Sequence, residues 1–135
     1  MTSENVELVR SICAAWERGD FSSAEWADPK VEFAIADGPV PGRWKGVAGM
    51  ADGFRGFLSA WEEYRVEGVD EYHEIDDERV LALARHSGRG KSSGLELEQM
   101  SAKGAALFYI RDAKVRRVVL YWDRERAFAD LGLSE

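Results

Sequence analysis

The stretch Gly104-Ala-Ala-Leu-Phe-Tyr-Ile-Arg-Asp-Ala-Lys-Val-Arg-Arg-Val-Val-Leu-Tyr-Trp122 decides the fold. Two runs rich in β-branched and aromatic residues, Ala105 to Arg111 and Val115 to Trp122, are separated only by Asp112-Ala113-Lys114. A break that short permits only antiparallel pairing, and the composition gives one face to a core and leaves the other available for a partner. Upstream lie three more strand-like runs: Val66 to Ile75, Arg79 to His86 and Leu95 to Ala102. Asp76-Asp77 divides the first two, and the polar, glycine-rich segment Ser87 to Gly94 joins the second and third.

The N-terminal half has a different period. Val6, Val9, Ile12, Cys13 and Trp16 recur at helical spacing behind Ser3, and Gly19 stops that helix. Ser22-Ser-Ala-Glu25 has capping-box spacing, which predicts a short second helix over about Ser23 to Ala27. Val31 to Ile35 alternates as a strand, and Asp37-Gly-Pro-Val-Pro-Gly42 forms a rigid loop that delivers Trp44. A third helix is expected over Gly46 to Glu63, with Val47, Met50, Phe54, Phe57, Leu58 and Trp61 on one stripe. Gly49, Gly53 and Gly56 inside it point to close backbone approach to a sheet or a ligand. Helices followed by a meander of strands make an α+β domain, one domain over residues 1–135, with the helices packed on one face of a curved antiparallel sheet.

Composition narrows the function. The chain has 135 residues, 45% of them hydrophobic, and 25 acidic against 18 basic residues give a net charge of −7. That balance argues against nucleic acid. No window approaches ~18 consecutive apolar residues and no signal peptide is evident, so a cytoplasmic protein with no membrane partner is expected. The single cysteine, Cys13, falls on an apolar helix position and reads as a buried, inert thiol. His-Glu-x-x-His, cysteine pairs and close triplets of ligand types are absent from the sequence, so neither metal nor cofactor is expected.

The elements together resemble the SnoaL-like branch of the nuclear transport factor two-like superfamily, which includes polyketide cyclases and ketosteroid isomerases. The resemblance rests on Trp16-Glu-Arg-Gly-Asp-Phe21, Gly42-Arg-Trp-Lys-Gly46, Gly94-Leu-Glu-Leu-Glu-Gln99 and Lys114-Val-Arg-Arg-Val-Val-Leu-Tyr-Trp-Asp123. It implies a cone-shaped, curved antiparallel sheet with three N-terminal helices packed on its concave face and a pocket, and it leaves the reaction open because this fold hosts enzymes and non-enzymes. Matched to the isomerases, the oxyanion tyrosine falls on Ile12, the base on Phe33 and the protonated acid on Ala106. All three are apolar here, which argues against that chemistry. The same matching turns Ala106, Phe108, Ile110, Val118, Leu120 and Trp122 inward and leaves Arg117, Val119, Tyr121 and Asp123 outside.

The candidate ligand-binding wall therefore comprises Trp44, Phe54, Phe57, Trp61, Phe108 and Trp122, which suits a small hydrophobic ligand or simply fills a core. Arg85 shares parity with Leu81 and Leu83 and is expected inward, paired with Glu98 or Glu96. Candidates for acid or base work are Asp37, His73, His86 and Asp123, against which Asp123 also reads as a helix N-cap and His73 as part of a solvated edge strand. Three functions stay open: a pocket protein for an apolar ligand, an acid or base enzyme on a hydrophobic carbonyl compound, and a non-catalytic dimerisation domain. A cavity of roughly 300 Å³ with inward polar groups favours the first two. Apolar residues on both parities, namely Leu97, Leu107, Tyr109, Val119 and Tyr121, predict a homodimer through the sheet.

Overall fold

The computed structural model describes residues 4–20, 25–36, 41–59, 61–90 and 99–132, and of these the side chains at 61–63, 88–90 and 99–102 are left out of the description. At its centre is the hairpin of β5 (Gln99–Arg111) and β6 (Lys114–Tyr121). Arg111 pairs with Lys114, so Asp112 and Ala113 alone make the turn. Both have positive φ, 54° and 62°, the sign pattern of a type I′ turn, whose twist matches that of the strands. Neither is glycine, so the turn is held at a conformational cost for Ala113 in particular.

Around the hairpin the sheet has six strands in the order β2-β1-β6-β5-β4-β3, with β1 Ala27–Ile35, β2 Gly42–Lys45, β3 Trp61–Asp76 and β4 Arg79–Gly90. The expected α+β class holds, and the sheet is mixed: β1 runs parallel to β6 while every other pair is antiparallel. The parallel pair follows from the long excursion through five other elements between β1 and β6, which no hairpin constraint governs. From Gln99 onward, the expected run Leu95 to Ala102 continues into Ala105 to Arg111 as one strand, since β4 and β5 stay in unbroken register from Arg79↔Tyr109 to Arg89↔Gln99, and residues 95–98 lie outside the described residues. The edge strand β3 shifts register four times against β4, as a strand must when it bends along a curled sheet.

The helices are α1 (Glu4–Glu17), α2 (Gly46–Ser59) and α3 (Arg124–Leu131). Of the short helix expected over Ser23 to Ala27, residues 23–24 lie outside the described residues, 25–26 form a turn and Ala27 opens β1. Trp61, assigned to the third helix by its stripe, instead opens β3, because α2 ends at Ser59. Gly42 to Lys45, which begins at the last residue of the expected loop, is an edge strand paired with β1. The helix glycines divide as their neighbours dictate. A Cβ on Gly53 would lie 2.7 Å from the Phe33 ring and 2.8 Å from Trp44, so α2 sits on β1 and β2 by virtue of that glycine, whereas Gly56 has nothing within 4 Å.

Strand parity sorts the core into two clusters. Val80, Ala82, Ala106, Phe108, Ile110 and Val118 face α1 and α2, with Leu120 and Trp122 packed against them, as the inward assignment of the hairpin required. Leu81, Leu83, Ala105, Leu107, Val119 and Tyr121 face the other way and pack with Ala127, Phe128 and Leu131 of α3. Leu107, Val119 and Tyr121 are thus buried within one chain. At these three positions the apolarity that suggested a sheet-to-sheet homodimer has an intramolecular partner, the terminal helix; Tyr109 is half-buried, and Leu97 lies outside the described residues. That helix is defined at both ends: the Asp123 carboxylate accepts from the Glu125 N–H at 3.0 Å, and Gly132 caps it at φ 69°.

Candidate functional site

Between α1, α2 and the sheet a cleft remains open, enclosing a volume of about 50 Å³. Its wall draws residues from both helices and from several strands. Helix α1 contributes Trp16, and α2 contributes Phe54 and Phe57, three residues apart on its buried face. Tyr64 and Val66 come from β3, Ala84 and His86 from β4, Gly104 from β5, Leu120 from β6 and Trp122 from just beyond it. The aromatic rings brace one another: Trp16 meets Phe54 edge-on at 5.6 Å and stacks on Phe108 at 5.7 Å, and Phe57 meets Tyr64 edge-on at 5.0 Å.

In this apolar wall the polar feature is a pair. His86 is 6% exposed, and its Nδ1 lies 3.1 Å from the Tyr64 hydroxyl. Its Nε2 lies 3.2 Å from the backbone carbonyl oxygen of Trp122, whose ring stands edge-on to the imidazole at 4.0 Å. Burial pushes the Tyr64 phenol well above its ordinary value, so it stays protonated and serves as a hydrogen-bonding group. Gly104 makes room for the arrangement. A Cβ there would lie 2.6 Å from the Tyr121 carbonyl oxygen, 2.9 Å from His86 Nε2 and 3.2 Å from the Trp122 carbonyl oxygen. Any side chain at this position would press on two backbone carbonyls and on the ring at once.

This cleft between helices and a curled sheet occurs in a chain of which residues 9–118 match the family model described as the SnoaL-like domain. The chain belongs to the SnoaL-like domain family. No curated protein matches it. Among solved structures it resembles a candidate polyketide cyclase from Xanthomonas campestris at 21% identity and a TM-score of 0.73, over 95% of this chain and 96% of that one. It also resembles an NTF2-like protein from Burkholderia pseudomallei at 18% identity and TM-score 0.76, over 95% and 97%. A third is TerC, co-crystallised with polyporic acid, at 20% identity and TM-score 0.70, over 96% and 98%. Likeness at these identities establishes the fold and leaves the activity open.

Within this SnoaL-like domain the sequence-derived site residues scatter. Phe54, Phe57 and Trp122 line the cleft. Phe108 lies behind it, fully buried under Trp16, and Trp44 sits over Phe33 at 5.6 Å, away from the cleft wall. Asp37 and Glu98, with Glu96 and the side chain of Trp61, lie outside the described residues. His73 is a surface residue 2.6 Å from Glu71 on the edge strand, and Asp123 serves as the N-cap of α3. Arg85 is corrected: its side chain is 51% exposed and pairs with Asp70 at 2.8 Å, where Arg124 joins them at 3.1 Å. The inward expectation failed because Leu81 and Leu83, whose parity Arg85 shares, are core residues of the α3 face.

The even positions of β4, Val80, Ala82, Ala84 and His86, are the ones facing the cleft side. His86, Tyr64 and Trp16 are the wall residues that sequence reasoning did not bring together. For His86 the signal existed. Val80 and Ala82 pair with Phe108 and Ala106, already assigned inward, and carrying that parity forward two steps reaches His86.

Proposed function

We propose that this SnoaL-like chain binds a small, largely apolar molecule in the cleft, with Trp122, Phe54 and Phe57 making apolar contact and the His86–Tyr64 pair meeting its polar end. The observation that carries this reading is the pair itself. An imidazole and a phenol buried in an aromatic wall cost desolvation that two apolar side chains of similar volume would avoid, and such groups are retained where a pocket needs a few placed polar contacts. The enclosed volume of about 50 Å³ sets the size. It falls well below the ~300 Å³ typical of sites that swallow a drug-sized ligand, so the occupant is a single ring or a short branched chain, or the leading edge of something larger. Co-crystallisation of the similarly folded TerC with polyporic acid accords with a ligand-holding role for this fold. The dimerisation reading is the weaker one, since Leu107, Val119 and Tyr121 already have α3 as their partner.

Trp16 and Trp122 both line the cleft, so intrinsic fluorescence reports occupancy directly. Titration with single-ring compounds is expected to perturb emission saturably, and Trp122→Ala is expected to weaken that binding, compared over folded protein only. If no compound in a panel running from single rings to polycyclic ketones changes emission or melting temperature, the pocket reading fails.

A further inference from the structure

Resting on that reading, we infer that Arg124 is a positioning residue for the cleft: without lining it, its guanidinium fastens the segment that carries Trp122 and so sets how tightly a ligand is held. The last ladder pair of β6 is Ala105↔Tyr121, which leaves Trp122 one residue past the strand. From the first position of α3, Arg124 reaches back past β5, and its Nη2 donates to the Ala84 carbonyl oxygen of β4 and to the Asp70 carboxylate of β3, both at 3.1 Å. Ala84 is itself a cleft residue, and two residues along β4 the Trp122 carbonyl oxygen stands 3.2 Å from His86 Nε2. Residues 122 and 124 are thus tied to residues 86 and 84. Gly104, paired with Ala84, leaves the passage between them open, since a Cβ there would stand 2.6 Å from the Tyr121 carbonyl oxygen.

The placement of Arg124 is not one that its own surroundings reward. A cation in the first turn opposes the helix dipole, and this one is only 12% exposed. Its Nε is buried with no hydrogen-bond partner among the described residues, which carries a desolvation cost. Asp70 does not require it for neutrality, because Arg85 already donates to that carboxylate at 2.8 Å. What the buried guanidinium adds is a two-point grip from one nitrogen, and the backbone it grips is a wall of the cleft.

The position of the segment is read without any ligand. The Trp122 ring stands edge-on to the His86 imidazole at 4.0 Å, so its ring current displaces the imidazole proton resonances. In the spectrum of the labelled full chain, with His73→Gln removing the surface histidine, Arg124→Met is expected to return those resonances toward their positions in an unstructured peptide. Cyclopentanol, titrated by fluorescence, is expected to bind about two- to thirtyfold more weakly to the same variant, the range of couplings carried through intervening residues. Asp70→Asn, a milder change, keeps the Ala84 bond and should move both readouts the same way by less; it carries the test if Arg124→Met does not fold. Ile110→Val removes a buried methylene at the turn end of the hairpin, and it should lower stability while moving neither readout. An Arg124→Met protein that is less stable but keeps the parent's His86 resonances or its affinity overturns the inference and leaves the pocket standing. Equal movement of both readouts by Ile110→Val overturns it too. Failure of cyclopentanol and every other single-ring compound to bind the parent overturns the pocket and with it the role in holding a ligand, while the resonances alone then decide whether Arg124 holds Trp122.

Discussion

The two faces of the β4-β5-β6 sheet use the same kinds of residue to opposite ends. On the face toward α3, Leu81, Leu83, Leu107 and Val119 meet Ala127, Phe128 and Leu131 and close completely. On the face toward α1 and α2, Phe108, Val118 and Ile110 close just as tightly, yet toward the end of β6 the packing opens into a cleft. The difference lies in what covers each face. An eight-residue helix anchored immediately after β6 lies close on the strands it follows, whereas two longer helices entering from different points of the chain leave a gap at their junction with the sheet. The gap coincides with the small residues Ala84 and Gly104, which leave room for the imidazole of His86. Apolar content by itself therefore does not mark a pocket. A pocket forms where small residues and a polar pair replace bulk.

If both faces are true core, truncations on either side should cost alike. Phe108→Ala is expected to destabilise by ~3–5 kcal/mol and Leu107→Ala by ~2–5 kcal/mol in urea unfolding, since each residue is at most 1% exposed. A Leu107→Ala cost below about 1 kcal/mol would mean that α3 does not seal its face and would return the dimer reading to favour.

Gly104→Ala sharpens the cleft side. Its Cβ collides with backbone at 2.6 Å, so the strand pair must spread or His86 must move, at about 1–3 kcal/mol. The accompanying change in the His86 imidazole resonances separates a displaced ring from general destabilisation. A variant as stable as the parent with an unchanged His86 spectrum would show that the close approach does not hold in solution.

The smallest effect belongs to the clasp on the other side, where Arg124 reaches both Asp70 and the Ala84 carbonyl oxygen at 3.1 Å. Desolvation at this junction raises the Asp70 pKa, and the hydrogen bonds from Arg124 and Arg85 outweigh it, so the carboxyl titrates below its ordinary value of 3.8. A depressed folded pKa adds stability that is complete above the unfolded value and is lost as pH falls through the folded one. Asp70→Asn should thus cost about 1 kcal/mol or less at pH 7, and the cost should vanish as acidification protonates the carboxyl in the folded protein. Arg85→Met, half exposed, should cost no more than that. A pH-independent loss would assign the effect to packing.

The sequence by itself determined the hairpin, the α+β class, the N-cap at Asp123, the solvated place of His73 and the facing of Phe108, Val118 and Trp122. These depend on neighbours in the chain: a short break makes the two runs pair, strand alternation sets the relative parity within each run, and the family resemblance supplied which parity turns inward. Where the signal was local but the partner remote, the reading went astray. Leu81 and Leu83 look more like core than Val80 and Ala82, and Arg85 was turned inward with them, because nothing within β4 says that α3 will return to cover the second face. Gly42 to Lys45 has no strand signature of its own and becomes a strand by pairing with β1. Only the tertiary structure brought Tyr64, His86, Gly104 and the Trp122 carbonyl together, from four strand segments spread over about sixty residues. A site assembled across a sheet is specified by register between strands, and that is settled by the energy of the whole packed core.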